Sequence, residues 1–127
     1  MTDTNKAMRP LSPHLTVYRP QLTSISSILT RITGNAMIFT AVLIVWWLGA
    51  AASGPEYYAF VNKIVTSFAG DVAFSLSLLG VWYHYLAGLR HLIFDAGRGL
   101  DIPTAEKLGW VCIIGSVALT ALTIFIV

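Results

Sequence analysis

The chain has 127 residues, of which 56% are hydrophobic and only 11% charged, with a mean hydropathy of +0.72. A soluble domain carries roughly a quarter charged residues, so this composition excludes a soluble enzyme, and a net charge of +2 gives no footing for nucleic-acid binding. The single cysteine, Cys112, excludes an intrachain disulfide and a cysteine-held metal cluster within the chain.

In chain order, the N-terminal "MTDTNKAMRPLSPHLTVYRPQLTSISS" carries Pro10, Pro13 and Pro20 and reads as an extended polar tail over residues 1–20. It has neither the early apolar run and small-residue cleavage site of a secretory signal nor the arginine-rich, acid-poor pattern of an organelle presequence. The expectation is an unprocessed protein of a bacterial membrane. A helix is predicted to begin near Gln21, with Thr23 or Ser24 as N-cap. It runs through Arg31 into a charge-free stretch from Ile32 to Gly54. Gly54 and Pro55 break it, and residues 56 to about 70 read as a short interfacial helix.

A second charge-free stretch, Val72 to Leu89, continues as helix to about Phe94. "DAGRGLDIPTAEK" is the next connection, with Thr104 predicted to cap the helix that follows and Lys107 at its N3 position. The third charge-free stretch runs from Leu108 to Val127. A spanning helix needs about 20 mostly apolar residues. The chain is therefore predicted to be an all-α membrane protein with three transmembrane helices, at about 30–53, 70–94 and 107–127. These form one transmembrane domain over residues 1–127, with no internal repeat.

Lysine and arginine are unevenly placed. Lys6, Arg9, Arg19 and Arg31 lie on the tail side of the first helix; Arg90, Arg98 and Lys107 flank the second connection; the first connection has only Lys63. The positive-inside rule then puts the N-terminus and the second connection in the cytoplasm and the C-terminus outside. Trp110 marks the inner end of the third span, and Trp46, Trp47, Tyr57 and Tyr58 the outer end of the first.

"GVWYHYLAGLRHLIFDAG" holds the main chemical signal. His84 stands roughly 18 Å along the helix from Val72 and roughly 15 Å from Phe94, near the bilayer midplane. An ionisable group at that depth needs a partner or a cavity. Gly80, His84 and Gly88 fall at i, i+4 and i+8 and share a face. Small residues so spaced admit a neighbouring helix or a flat macrocycle whose iron an imidazole ligates. On the residues alone three readings stay open: an interhelical hydrogen bond, a haem ligand, or a proton or ion path. A doubly histidine-ligated haem would need a second polypeptide. His91 lies about 10 Å further along the same helix, His14 is in the tail, and the first and third spans lack histidine.

Arg90, His91 and Asp95 close the second span as an interfacial cluster. It reads either as a snorkelling group or as a contact for an anionic group such as a haem propionate. In "SISSILTRITG", Ser24, Ser27 and Arg31 form a polar stripe where the chain enters the membrane. That stripe is either a plain interfacial helix start or a headgroup site, its hydroxyl and guanidinium serving as donors to quinone carbonyls.

Together, "RPLSPHLTVYRPQLTSISSILTRITG" and "HYLAGLRHLIFDAG" resemble the cytochrome b556 family of succinate dehydrogenase, the larger membrane anchors of succinate:quinone oxidoreductase (respiratory complex II). The likeness covers essentially the whole chain. Its signatures are S-x-x-x-R followed by Gly34 and H-x-x-x-G-x-R-H-x-x-x-D. The resemblance implies a three-helix anchor paired with a second hydrophobic anchor subunit, carrying an iron–sulfur subunit and a flavoprotein subunit on the cytoplasmic face of the inner membrane. It implies that His84 ligates the iron of haem b, the opposite ligand coming from the second anchor, and that Ser27 and Arg31 contribute to the ubiquinone site. Arg31 would also lie near a haem propionate, with His91 at the pocket's edge. Thr30 stands where some bacterial members have histidine. Succinate oxidation would take place in another subunit, and this chain would have no activity alone: it has no glycine-rich nucleotide loop. The competing readings are a haem-free structural anchor and a small transport subunit using His84 for protons.

Overall fold

A computed structural model describes residues 12–127. Lys6, Arg9, Pro10 and the rest of residues 1–11 lie outside the described residues. Four helices follow in order: α1 (Leu22–Ser53), α2 (Pro55–Val65), α3 (Phe68–Asp95) and α4 (Ile102–Ile126). Three of them, α1, α3 and α4, are long and apolar enough to cross a membrane, and no strand occurs among the described residues. Residues 12–20 are not a simple extended tail. The carbonyl of His14 accepts from the amides of Val17 (2.9 Å) and Tyr18 (2.8 Å), which folds the chain into a turn just before α1.

The 32 residues of α1 make a rod of about 48 Å at 1.5 Å per residue, longer than a hydrocarbon core of about 30 Å. The excess lies at its polar N-terminal end. Neither predicted cap operates there. Gln21 is the N-cap without a side-chain bond, and the Ser24 hydroxyl is instead bonded to the Tyr18 hydroxyl. At the far end Gly54, at φ 138°, takes a backbone conformation that side chains resist, and Pro55 opens α2 at a position that needs no amide donor. The chain therefore turns sharply, and α2 folds back on α1. Ala50, Val61 and Val65 are buried there against Trp46, Trp47 and Phe74. Both indoles are satisfied: Trp46 Nε1 donates to the Tyr57 hydroxyl (2.9 Å) and Trp47 Nε1 to Asn62 Oδ1 (3.3 Å). Amphipathic aromatic rings with paired polar tips suit the membrane–water boundary.

Helix α3 is central and packs on both α1 and α4. Its own start is capped by Ser67, whose hydroxyl accepts from the Gly70 amide. Its C-terminus closes with the Gly97 amide on the Phe94 carbonyl (2.9 Å) and the Arg98 amide on the Ile93 carbonyl (3.1 Å). This paired reverse bonding needs a left-handed residue, and Gly97 supplies it at φ 70°. Helix α4 carries a stripe of small residues, Ala105, Gly109, Cys112, Ser116 and Thr120, all buried, with Cys112 against Tyr83 and Ala87 of α3 and Gly109 against Leu22 of α1. Small side chains let two helix backbones approach closely where lipid provides no hydrophobic drive. The hydroxyls of Ser116 and Thr120 donate to carbonyls in their own helix, so the stripe buries no unpaired hydroxyl. Most large apolar side chains elsewhere on α1, α3 and α4 are exposed, as expected where lipid or other helices replace water.

The cap of α4 differs from the sequence expectation. Asp101, not Thr104, is the N-cap, and its carboxylate accepts from the Thr104 amide at 3.0 Å. Pro103 then falls in the first turn, where proline is favoured. The bonds to Thr104 hold the Asp101 carboxyl below the ordinary carboxylate range. A group whose folded pKa is depressed stabilises the fold above its unfolded pKa and loses that contribution as pH falls through the folded value. Asp101→Ala should therefore melt at a lower temperature than the unaltered chain at pH 7, and the gap should narrow on acidification below the carboxylate range. A gap unchanged at acid pH, followed by circular dichroism in detergent, would contradict this role.

Candidate functional site

The functional side chains sit where the first turns of α1 meet the last turns of α3 and the start of α4. Two adjacent faces of α3 meet at a cavity of about 610 Å³. Tyr83, Ala87 and Arg90, at i, i+4 and i+7, are buried, and Ala87 and Arg90 of this buried face also reach the cavity wall. His84, Gly88 and His91, each one residue later, line the cavity. The same offset recurs on α1: Ser26 is buried, while its neighbour Ser27 and, one turn on, Arg31 line the cavity.

The buried face forms a polar knot. Arg90 is 9% exposed and Ser26 fully buried. Arg90 Nη1 donates to Ser26 Oγ at 2.9 Å, and Nη2 donates to the Ala105 carbonyl at 3.2 Å. The Tyr83 hydroxyl donates to the Ser26 carbonyl at 3.1 Å and lies 3.0 Å from Ser26 Oγ. Since the tyrosine proton is committed to the carbonyl, the serine proton completes the set by pointing at the tyrosine oxygen. The guanidinium also lies 4.7 Å from the centre of the Phe94 ring, an attractive cation–π contact. Arg90 Nε is buried without a hydrogen-bond partner. One guanidinium thus joins α3 to α1 and α4. The sequence expectation of a snorkelling Arg90 is corrected: its partners are inside the bundle, and none is a carboxylate.

His84 is half-buried. Its Nδ1 lies 3.1 Å from the Thr30 carbonyl and 3.3 Å from Thr33 Oγ1. Thr33 Oγ1 already directs its proton to the carbonyls of Leu29 (2.8 Å) and Thr30 (3.1 Å). Both neighbours of Nδ1 are therefore acceptors, so Nδ1 carries the proton and, in the neutral ring, Nε2 keeps the lone pair. A ring nitrogen held by a backbone carbonyl while the other is free to coordinate is the usual arrangement of a metal-ligating histidine. Space for the ring comes from α1: a Cβ built at Gly34 would stand 3.0 Å from His84 Cε1. Gly80 and Gly88 do not crowd the ring. A Cβ on Gly80 would meet only Thr33 Cγ2 at 4.0 Å, and one on Gly88 would meet nothing within 4 Å.

Of the residues singled out in the sequence, the cavity brings together Ser27, Arg31, His84 and His91, with Thr30 and Arg90 beside them. Ser27, Arg31 and His91 are exposed on its wall. Ser24 does not line it and is engaged with Tyr18. Among the described residues, no acidic side chain lines the cavity. Two guanidiniums, two imidazoles and three hydroxyls in an apolar frame favour an anionic or carbonyl-bearing guest. Sequence reading passed over Ser26, Tyr83 and Thr33. The heptad spacing of Tyr83 and Arg90 on an otherwise apolar helix was the available signal for a buried polar seam.

Comparison with known proteins adds an independent line. The sequence profile of the family described as "Succinate dehydrogenase/Fumarate reductase transmembrane subunit" matches residues 5–123. The chain is 49% identical over 126 residues to the succinate dehydrogenase cytochrome b556 subunit of Paracoccus denitrificans, covering 99% of this chain and 97% of that protein. It is 40% identical over 115 residues to the subunit of the same name from Rickettsia prowazekii (strain Madrid E), covering 90% and 89%. It is 37% identical over 109 residues to the succinate dehydrogenase cytochrome b560 subunit of Reclinomonas americana, covering 81% and 75%.

The hydrogen-bond pattern fixes a testable tautomer. Nitrogen-15 spectra of the histidine-labelled chain in bilayers, without added ligand, should show the neutral His84 ring protonated at Nδ1. Thr33→Val should leave that assignment unchanged, because the Thr30 carbonyl remains. A ring protonated at Nε2 would count against the arrangement.

Proposed function

The chain belongs to the succinate dehydrogenase/fumarate reductase transmembrane subunit family, and on that footing we propose that it is a membrane-anchor subunit of a succinate:quinone oxidoreductase that ligates haem b through His84 and helps to form a ubiquinone site with Ser27 and Arg31. The observation that carries the reading is the His84 ring itself. Its Nδ1 proton is held by the Thr30 carbonyl, which leaves Nε2 as a ligating nitrogen beside a cationic cavity. Haem b, when bound, supplies a one-electron redox centre. This chain's residues fit it by donor chemistry: a neutral imidazole suits the iron, while Arg31 and His91 suit carboxylate substituents.

For the quinone, Ser27 and Arg31 stand one turn apart on α1 at the cavity wall. A hydroxyl and a guanidinium are both donors. Fixed donors aimed at a carbonyl oxygen favour the negative charge that develops there during reduction. The exposed α1 face beyond them, with Ile28 and Ile32, gives an apolar tail a surface continuous with lipid. No second histidine of this chain stands across the cavity from His84, since His91 lies on the same helix face. A second ligand for the haem iron would then come from a second anchor subunit, and succinate oxidation would belong to flavoprotein and iron–sulfur subunits. In a bacterial inner membrane the cationic end of the bundle, with Arg19, Arg31, Arg98 and Lys107 against Lys63 at the other end, faces the cytoplasm.

A haem-free anchor is the second reading, favoured by the fact that His84 does make an interhelical hydrogen bond. Reduced-minus-oxidised optical spectra of the chain co-purified with its partner subunits separate the two. A b-type signal lost or shifted in His84→Ala supports ligation, whereas a fully assembled complex without such a signal supports the anchor alone. Arg31→Ala should lower succinate-driven quinone reduction about tenfold or more, the worth of a hydrogen bond to a charged donor, while leaving the b-type signal in place. Unaltered quinone turnover in that variant would remove Arg31 from the site.

A further inference from the structure

The offset between the buried and the cavity-facing residues suggests a division of labour. Ser26, Tyr83 and Arg90 form the knot, of which only Arg90 reaches the cavity wall, and the very next residues, Ser27, His84 and His91, line the cavity. The knot is anchored at both ends by backbone: the Ser26 carbonyl on α1 and the Ala105 carbonyl on α4. Beside the knot, helix α1 is held at this level by Leu29, packed against Tyr83, Ala87 and Cys112, and by the Thr30 carbonyl on His84. Ser26 is its one buried residue in the polar entry, and Ile25, Ile28 and Ile32 around it are exposed. A rotation of one residue's width, about 100° on an α-helix, would carry Ser27 and Arg31 off the cavity wall.

We infer that Arg90 and Tyr83 are positioning residues for the quinone-facing side of α1, acting through Ser26. They fix the axial rotation and depth of α1, so Ser27 and Arg31 meet their guest without searching for it. The requirement is geometric as well as electrostatic. A guanidinium reaches Ser26 Oγ and the Ala105 carbonyl at once through two nitrogens in a rigid plane. A lysine ammonium is a point donor on a flexible stem and lacks that fork. The inference rests on the quinone reading of Ser27 and Arg31, and its test carries a readout that does not.

In the assembled, membrane-extracted complex, Ser26→Ala, Tyr83→Phe and Arg90→Lys should each raise the KM for a short-chain ubiquinone by roughly threefold to tenfold, the range of one to two lost hydrogen bonds. For Ser26→Ala and Tyr83→Phe, dye-linked succinate oxidation and the b-type spectrum should stay at wild-type levels. Ser27→Ala serves as the control for the site. Separately, maleimide labelling of Ser27→Cys, followed by peptide mass spectrometry to distinguish it from buried Cys112, should change in rate when Tyr83→Phe is added.

An unchanged KM in all three knot variants, with Ser27→Ala impaired, overturns the positioning role while sparing the quinone site. So does an Arg90→Lys enzyme indistinguishable from wild type, because charge alone would then suffice. Loss of quinone, dye-linked and spectral signals in step with lost complex also overturns it, reducing the knot to general stability. If Ser27→Ala itself has a wild-type KM, the quinone reading fails, and the labelling rate alone decides whether the knot orients α1.

Discussion

The arrangement depends on one buried cation. Arg90 sits inside a bundle that contains few other polar side chains, and its charge is compensated by a serine oxygen, a carbonyl oxygen and an aromatic face. A guanidinium held in this way has given up water for a small set of oxygens, so losing one of those contacts leaves it underpaired inside the bundle. Interactions within lipid are often modest because the separated helices find other partners. A three-way contact is more demanding, since it needs α1, α3 and α4 in one relative placement. Specificity, more than gross stability, is what a buried polar cluster contributes here.

The site beside it follows the same logic with neutral groups. His84 is held by a backbone carbonyl, to which Thr33 Oγ1 also donates, and that hydroxyl oxygen takes a share of the ring proton. Gly34 on the facing helix removes the side chain that would push the ring aside. The ring's orientation is therefore decided mostly by α1, though the histidine belongs to α3. The two helices are read together or not at all, and the knot is what keeps them in register.

Much of the fold was legible because lipid imposes a coarse rule: long charge-free stretches become spanning helices. The all-α class, the break at Gly54–Pro55 and the short helix after it followed from that rule and from two helix breakers. Helix ends were less legible. The α4 start was misplaced by three residues because a threonine before an acidic residue resembles a cap, although Pro103 in the first turn pointed to Asp101. At the site, sequence spacing identified residues sharing a face, and the cavity does gather Ser27, Arg31, His84 and His91. It misread Arg90, because a basic residue five positions from a helix end looks free to reach water. Whether it does so depends on Ser26 and Ala105, which are distant in sequence. The roles of Thr33 and Gly34 toward His84 likewise exist only once α1 and α3 have met.

That proximity to the helix end bears on how the chain is made. Arg90 is five residues from Asp95, the last residue of α3, or about 8 Å along the axis, within reach of headgroup water for an extended arginine. Helix α3 can thus enter the bilayer alone with its guanidinium still hydrated. Dehydration comes later, when α1 and α4 close around it and offer oxygens in exchange. The costly step is moved from insertion, where a translocating machine would have to overcome it, to helix association, where it acts as a proofreading test. A bundle assembled with the wrong helix rotation leaves the cation wet and the interface open, and only the right one lets it dry.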